Sequence, residues 1–304
     1  MIDNSRLRKC VFAVGIVTLI VLNLYTFIVA YPETYRVDSG ISSGEIVAKD
    51  FSAYYIGAWR LLHNPSQIYT RGFVDDGEYP VYPRPQAYKY LPSFLFLVSP
   101  ALSLDYQQAL IAFDIFQFAL LPLIALLLYN LLNRKGLVTT FIVVVIVVLQ
   151  PFPWPNWGLS VSYFWQWGEG QAKVIETFLF LLAFYLGYST RPRLSGIIFA
   201  LAAFDPRFGL LSLPLFLMYN RKNLMSSVGS MLGTLIISNL PLLYPGTGSG
   251  FLNMVLNFGV TTPLYYYASI PLLTIISLMI VNYREMIAAF SRSTLDRQHE
   301  LSES

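Results

Sequence analysis

The chain has 304 residues, 55% of them hydrophobic and 12% charged, with a mean hydropathy of +0.55 and a formal net charge of +3. Soluble domains carry about 25% charged residues, so the composition excludes an ordinary soluble protein and describes an integral membrane one. The positive residues lie in short clusters between apolar runs, which reports orientation in a membrane and excludes nucleic-acid binding.

Taken in order, the chain opens with Arg6, Arg8 and Lys9 ahead of Cys10–Ala30, an apolar run of roughly 20 residues. That is long enough to cross the bilayer and longer than a cleavable signal core, so it is expected to be an uncleaved signal anchor. Cys10 is the only cysteine, which excludes an internal disulfide framework, and two histidines leave little for a His-rich metal site. Residues 31–90 form a long polar stretch that holds seven of the seventeen acidic residues. Further apolar runs follow at about 108–132, 137–150, 172–188, 194–204, 208–219, 224–244 and 263–282. Arg134/Lys135, Arg191/Arg193, Arg221/Lys222 and Arg284 sit in short connections or just after a run, which marks those points as cytoplasmic. With the N-terminus also inside, 31–90, 151–170 and 245–262 lie outside.

That orientation decides two irregular stretches. Leu91–Leu104 is short and broken at Pro100, and is expected to lie in or dip into the outer leaflet rather than cross. Residues 194–219 are split by Asp205-Pro206-Arg207 into two runs of about eleven residues, each about 16 Å as helix. They read as two short helices that meet at depth or near the outer surface. The segment 151–170 holds four of the five tryptophans and reads either as an interfacial aromatic belt or as the wall of a sugar or lipid site. Its prolines forbid a regular helix at its start. Tyr283–Ser304 reads as a polar, mobile cytoplasmic tail. The fold expected is an all-α polytopic membrane bundle of about 7–9 membrane helices. Residues 1–282 form one transmembrane domain, with interfacial helices in the first external loop.

Within that loop, Asp50 opens a helical pattern in which Phe51, Tyr55, Trp59 and Leu62 form one apolar face suited to the membrane surface. A carboxylate at a helix start is either a cap for orphan N–H groups or a base available for chemistry, and spacing alone leaves both open. The tyrosines of the loop decide nothing by themselves. Charges in or beside the apolar runs are more informative, because an ionisable group at a helix centre costs about 2.5–3.5 kcal/mol on insertion scales. They are Asp114, Lys173, Glu176, Asp205 and Arg207. Lys173 and Glu176 can pair at i, i+3, and Asp205 can pair with Arg207. The alternative is that Arg207 and Lys173 face a cavity and hold a lipid phosphate. No Walker-type loop, Cys/His metal constellation or nucleophile elbow occurs.

Three blocks in order resemble the GT-C class of polytopic glycosyltransferases, most closely glycosyltransferase family 87. Lys49–Thr70, KDFSAYYIGAWRLLHNPSQIYT, looks like that family's aspartate-containing first external loop. Tyr88–Leu104 is similar to its aromatic-Tyr-Pro-Pro segment, here reduced to Tyr90-Leu91-Pro92. Gly170–Lys222 is like its Gly-Gln helix, basic turn, small-residue helix and proline break. Gln171-Ala172-Lys173 stands where the family usually has Gln-x-Asn, and Asp205-Pro206 where it usually has Lys-Pro.

The resemblance implies transfer of a hexose, most often mannose, from a polyprenyl-phosphate carrier to a lipid or glycan acceptor, with inversion, on the outer face of the cell membrane. By the same resemblance Asp50 is the general base, and Arg207, Lys173 and Lys89 are donor-phosphate contacts. Tyr54, Tyr55, Tyr90, Glu169 and Gln171 become substrate contacts. No cofactor is implied with certainty and a divalent metal is left undecided. A transporter or lipid flippase, or a non-catalytic GT-C scaffold, is the alternative class.

Overall fold

The computed structural model describes residues 49–70, 88–132, 135–149, 151–154, 158–161, 171–261 and 270–303, with single helical positions between 13 and 25. The full extent of the expected signal anchor, the remainder of the external loop and Glu169 lie outside the described residues.

Helices dominate. The first is α1, Lys49–His63, followed by a 3-10 turn over Pro65–Gln67. Next come α2, Ser93–Val98, extended by a 3-10 turn to Ser103, then α3, Tyr106–Leu132, and α4, Leu137–Leu149. A short antiparallel hairpin, β1 (Pro151–Trp154) with β2 (Gly158–Val161), pairs Pro151 with Val161 and Trp154 with Gly158. The chain is otherwise helical, as expected of an all-α protein; at this one point Pro151, Pro153 and Pro155 forbid a helix. The helices then resume as α5, Lys173–Tyr188, α6, Pro192–Ala202, α7, Pro206–Asn220, α8, Leu224–Ser238, α9, Thr247–Thr261, and α10, Ile270–Glu303.

Helix α3 has 27 residues and a mean hydropathy of 2.3 over its most apolar stretch. At 1.5 Å per residue it is about 40 Å long, enough to cross a bilayer core of about 30 Å. Among the described residues it is the one helix that is both long and apolar enough to do so. Helix α2 and its extension, Ser93–Ser103, are too short to cross, as expected for Leu91–Leu104.

Helix α5 is the centre of the packing, touching α3, α6, α7 and α10. Helices α6 and α8 lie in backbone contact because Gly196 has no side chain: a Cβ there would meet the Ser227 carbonyl and the Ser230 hydroxyl. Small residues at such a crossing let two helices approach where lipid offers no hydrophobic drive to bring them together.

Two expectations change. Helix α1 does not lie on a surface: Phe51, Ser52, Ala53, Tyr54, Tyr55, Ile56, Ala58 and Leu61 are all buried, and only its far end, at Leu62 and His63, is exposed. The small residues Ala53, Gly57 and Ala58 let a second face pack. A Cβ on Gly57 would sit 3.0 Å from the Leu95 side chain. The second change is at Tyr283, where the expected tail begins without a break in the helix, because α10 runs on to Glu303.

Candidate active site

Three helices begin in one neighbourhood: α1 at Lys49, α5 at Lys173 and α7 at Pro206. Helix starts carry unpaired N–H groups and partial positive charge, so each favours an anion. Asp50 is half-buried in the first turn of α1. Asp205 is the N-cap of α7, accepting from the Arg207 amide at 3.2 Å.

The side chains around Asp205 form one linked set. Arg207 grips it in two places, Nε to Oδ1 at 2.8 Å and an η nitrogen to Oδ2 at 2.6 Å. Lys173 donates to Asp205 Oδ2 and to Glu176 Oε2, both at 3.0 Å. Both sequence-expected pairs are therefore present, and the Lys173–Asp205 bond, which sequence reasoning missed, joins them. The signal for it was available. Helices α5 and α6 are antiparallel with a short turn between them, so the start of the first and the end of the second must lie level. The set holds two positive and two negative groups, and three of the four are almost wholly buried. Lys173 also lies over the rings of Phe208, at 4.5 Å, and Tyr90, at 5.2 Å. Its ammonium is thus occupied on several sides, whereas the Arg207 side chain keeps 35% of its surface exposed.

Tyr90 connects this set to Asp50. Its carbonyl accepts from Tyr69 Oη at 2.8 Å, and the next residue, Leu91, donates its amide to the Phe204 carbonyl at 2.8 Å. The first bond ties 88–92 to the segment after α1, and the second fastens it to the α6–α7 turn. The ring meets Tyr54, Tyr88 and Phe204 at 5.6–5.9 Å, a set of tilted and edge-on contacts of the kind aromatic rings prefer. Burial raises the phenol pKa of Tyr90 to about 12, opposed by Lys173 and Arg207 and reinforced by Asp50 and Asp205. Four charged groups from three helix starts thus act on one phenol, which stays protonated. Tyr54, buried against it, has its pKa pushed well above normal by burial first and then by Tyr90 and Asp50. Its hydroxyl makes no well-formed hydrogen bond.

Of the site residues expected from sequence, Asp50, Tyr54, Tyr90, Lys173 and Arg207 come together. Tyr55 does not: its hydroxyl is spent on the Leu104 carbonyl at 2.8 Å and its ring packs on Phe51 and Tyr106. Lys89 and Gln171 are half-buried near the same segments. Asp114 and Gln117, one turn apart on α3, are fully buried. No three His, Cys, Asp or Glu side chains converge as metal ligands among the described residues.

The sequence model of glycosyltransferase family 87 matches residues 88–281 of the chain. The match covers more than half of the protein, which therefore belongs to glycosyltransferase family 87, and a sugar donor and an acceptor are its substrates. The matched region holds Tyr90, the α5–α7 helices and the whole ion-pair set. It begins after Asp50, so that residue's role is not carried by the match. No curated protein and no solved structure matches the chain.

Proposed function

We propose that the protein is a membrane hexosyltransferase that takes its sugar, mannose in the first instance, from a polyprenyl-phosphate carrier. The site faces the extracytoplasmic side of the cell membrane and both termini are cytoplasmic. In the reaction, the acceptor hydroxyl of a lipid or glycan attacks the anomeric carbon. The bond from that carbon to the carrier phosphate oxygen breaks, with inversion. Asp50 removes the hydroxyl proton, and the polyprenyl phosphate leaves with the bonding electrons.

The observation that carries this reading is the meeting of three helix starts at Tyr90, whose ring lies 5.2 Å from the Lys173 ammonium and 5.8 Å from the Tyr54 ring on the helix that Asp50 opens. It joins a half-buried carboxylate to a cation-bearing set at converging helix starts. A base needs only moderate burial to stay reactive, and a departing phosphate needs preorganised positive charge. Arg207 is the phosphate contact on this reading, because its guanidinium is part-exposed and suited to two-point binding of an anion. Lys173 acts through Asp205 and Glu176, as a positioning residue rather than a phosphate ligand. Tyr54 and Tyr90 orient the acceptor or sugar from the floor of the site, and Tyr55 is core.

The test is donor choice with purified protein in nanodiscs. Labelled polyprenyl-phosphate mannose should yield a product of opposite anomeric configuration, and a nucleotide-linked mannose should yield none. Transfer from the nucleotide sugar alone would reject the carrier.

A further inference from the structure

A guanidinium has two edges that each present a parallel pair of N–H groups, one at Nε and Nη2 and one at Nη1 and Nη2. In Arg207 the first edge is taken by Asp205, with Nε on Oδ1 at 2.8 Å and Nη2 on Oδ2 at 2.6 Å. The second edge is therefore turned away from Asp205. The Arg207 side chain keeps 35% of its surface exposed, whereas that of Asp205 keeps 1%. The carboxylate is itself out of reach of a substrate, so it can act at the site only through its partners.

Asp205 is held in its turn. Lys173 donates to its Oδ2 at 3.0 Å, and Lys173 is braced by Glu176 at 3.0 Å and by the Phe208 ring at 4.5 Å. Pro206 stands between Asp205 and Arg207 at the first position of α7, where its ring fixes φ and its missing N–H costs nothing. The path from carboxylate to guanidinium is thus short and stiff. Helix capping does not account for it. A cap needs one acceptor, and the cap bond from the Arg207 amide, at 3.2 Å, is the longest of the four that Asp205 accepts. Stability does not account for it either, because apolar residues of similar volume often serve as well as a buried ion-pair set. An apolar substitute would tie α5 to α7, but nothing would then fix the guanidinium plane.

We propose that Asp205 is a positioning residue for the leaving group. It holds the plane of Arg207 so that the Nη1–Nη2 edge meets the non-bridging oxygens of the carrier phosphate, and Lys173 and Glu176 fix Asp205 for that purpose. The role rests on Arg207 being the phosphate contact, and it specifies which edge serves and what sets that edge. A fixed edge matters most as the phosphate departs, when its oxygens gain charge and donors already in place need no rearrangement. The role is independent of the one given to Asp50.

The experiment reads binding of radiolabelled polyprenyl phosphate, the leaving group itself, to the full chain in nanodiscs, so no acceptor is needed. D205N keeps one acceptor for the cap and sets an amide NH2 against the donors of Lys173 or Arg207. It should weaken binding about tenfold, the scale of one charge-assisted hydrogen bond. Unchanged binding, or tighter binding because a negative charge has gone from beside an anion site, overturns the proposal. R207K keeps the charge without the fork and should also weaken binding about tenfold. Because Asp205 acts through Arg207, D205N/R207K should bind within about threefold of R207K alone. A double variant weaker than the parent by the product of the single losses, about 100-fold, would give Asp205 a separate structural role and overturn its positioning one. Melting is followed in each preparation. If D205N does not fold, K173M/E176Q/D205N, which neutralises the buried partners together, takes its place and should show the same loss. A parent that does not bind polyprenyl phosphate, or an R207K protein that binds it like the parent, rejects Arg207 as the phosphate contact, whereas additive losses reject only Asp205 as its holder.

Discussion

The two ends of α5 and α7 handle charge in opposite ways. At the Lys173 end, two cations and two carboxylates neutralise one another in a nearly closed cluster, under a roof of tyrosine and phenylalanine rings. At the Gly187–Asn220 end, an excess of positive charge faces an open cavity. Buried ions must be paired in place, because the desolvation of each costs several kcal/mol. Solvated ones need no such pairing. The difference separates what the closed cluster does for itself, which is to tie the starts of α5 and α7 together, from what it leaves exposed, which is the outer side of Arg207.

The largest effect should come from breaking the closed cluster. Asp205→Ala strips Lys173 and Arg207 of their shared partner and removes the α7 cap. Loss of one partner of a buried pair costs about 3–5 kcal/mol, with about 1 kcal/mol more for the cap. Thermal unfolding in detergent should show this, and the triple variant K173M/E176Q/D205N should recover most of it. A triple as unstable as Asp205→Ala would show that the cluster is not held by charge. Packing between the ends comes next. Gly196→Val forces α6 from α8, and overpacking typically costs about 1–3 kcal/mol. Gly229→Ala, where a Cβ meets nothing within 4 Å, should be neutral or slightly stabilising.

A smaller contrast separates the two adjacent tyrosines. Tyr55→Phe gives up one hydrogen bond to Leu104, about 0.5–1.5 kcal/mol, and should leave sugar transfer unchanged. Tyr54→Phe should lower transfer with less effect on melting, since its hydroxyl makes no well-formed hydrogen bond. Smallest of all is a titration. The pKa of Tyr90 is raised in the fold, so the neutral phenol contributes stability fully below its unfolded pKa of about 10. That contribution is lost as pH rises through about 12. Tyr90→Phe should therefore remove one late-titrating group from the tyrosinate absorbance.

Much of this arrangement is legible in the sequence. The apolar runs at 108–132 and 172–188 became α3 and α5 almost residue for residue, and the break at Asp205-Pro206 fell where proline forbids a continuing helix. Both local ion pairs were readable from spacing. The burial of α1 was not, because its polar ends and tyrosines lower its hydropathy and suggest a surface. The Ala53 and Gly57 spacing that permits a second packed face carries weight only once a partner such as Leu95 is known. The course of α10 past Tyr283 was hidden for a related reason, since hydropathy marks where apolar character ends and not where a helix does. Tyr90 as the link between Asp50 and Lys173 depends on contacts across 123 residues of chain from Asp50 to Lys173, which no local pattern encodes.

The proposed role of Asp50 as the reacting carboxylate, with the Asp205 cluster as scaffold, is tested most directly by Asp50→Asn assayed for hexose transfer and for melting temperature in one preparation. Transfer should be at least about 100-fold slower, the usual scale for loss of a general base, with melting unchanged. Transfer at the parent rate from a normally folded Asp50→Asn protein would contradict it.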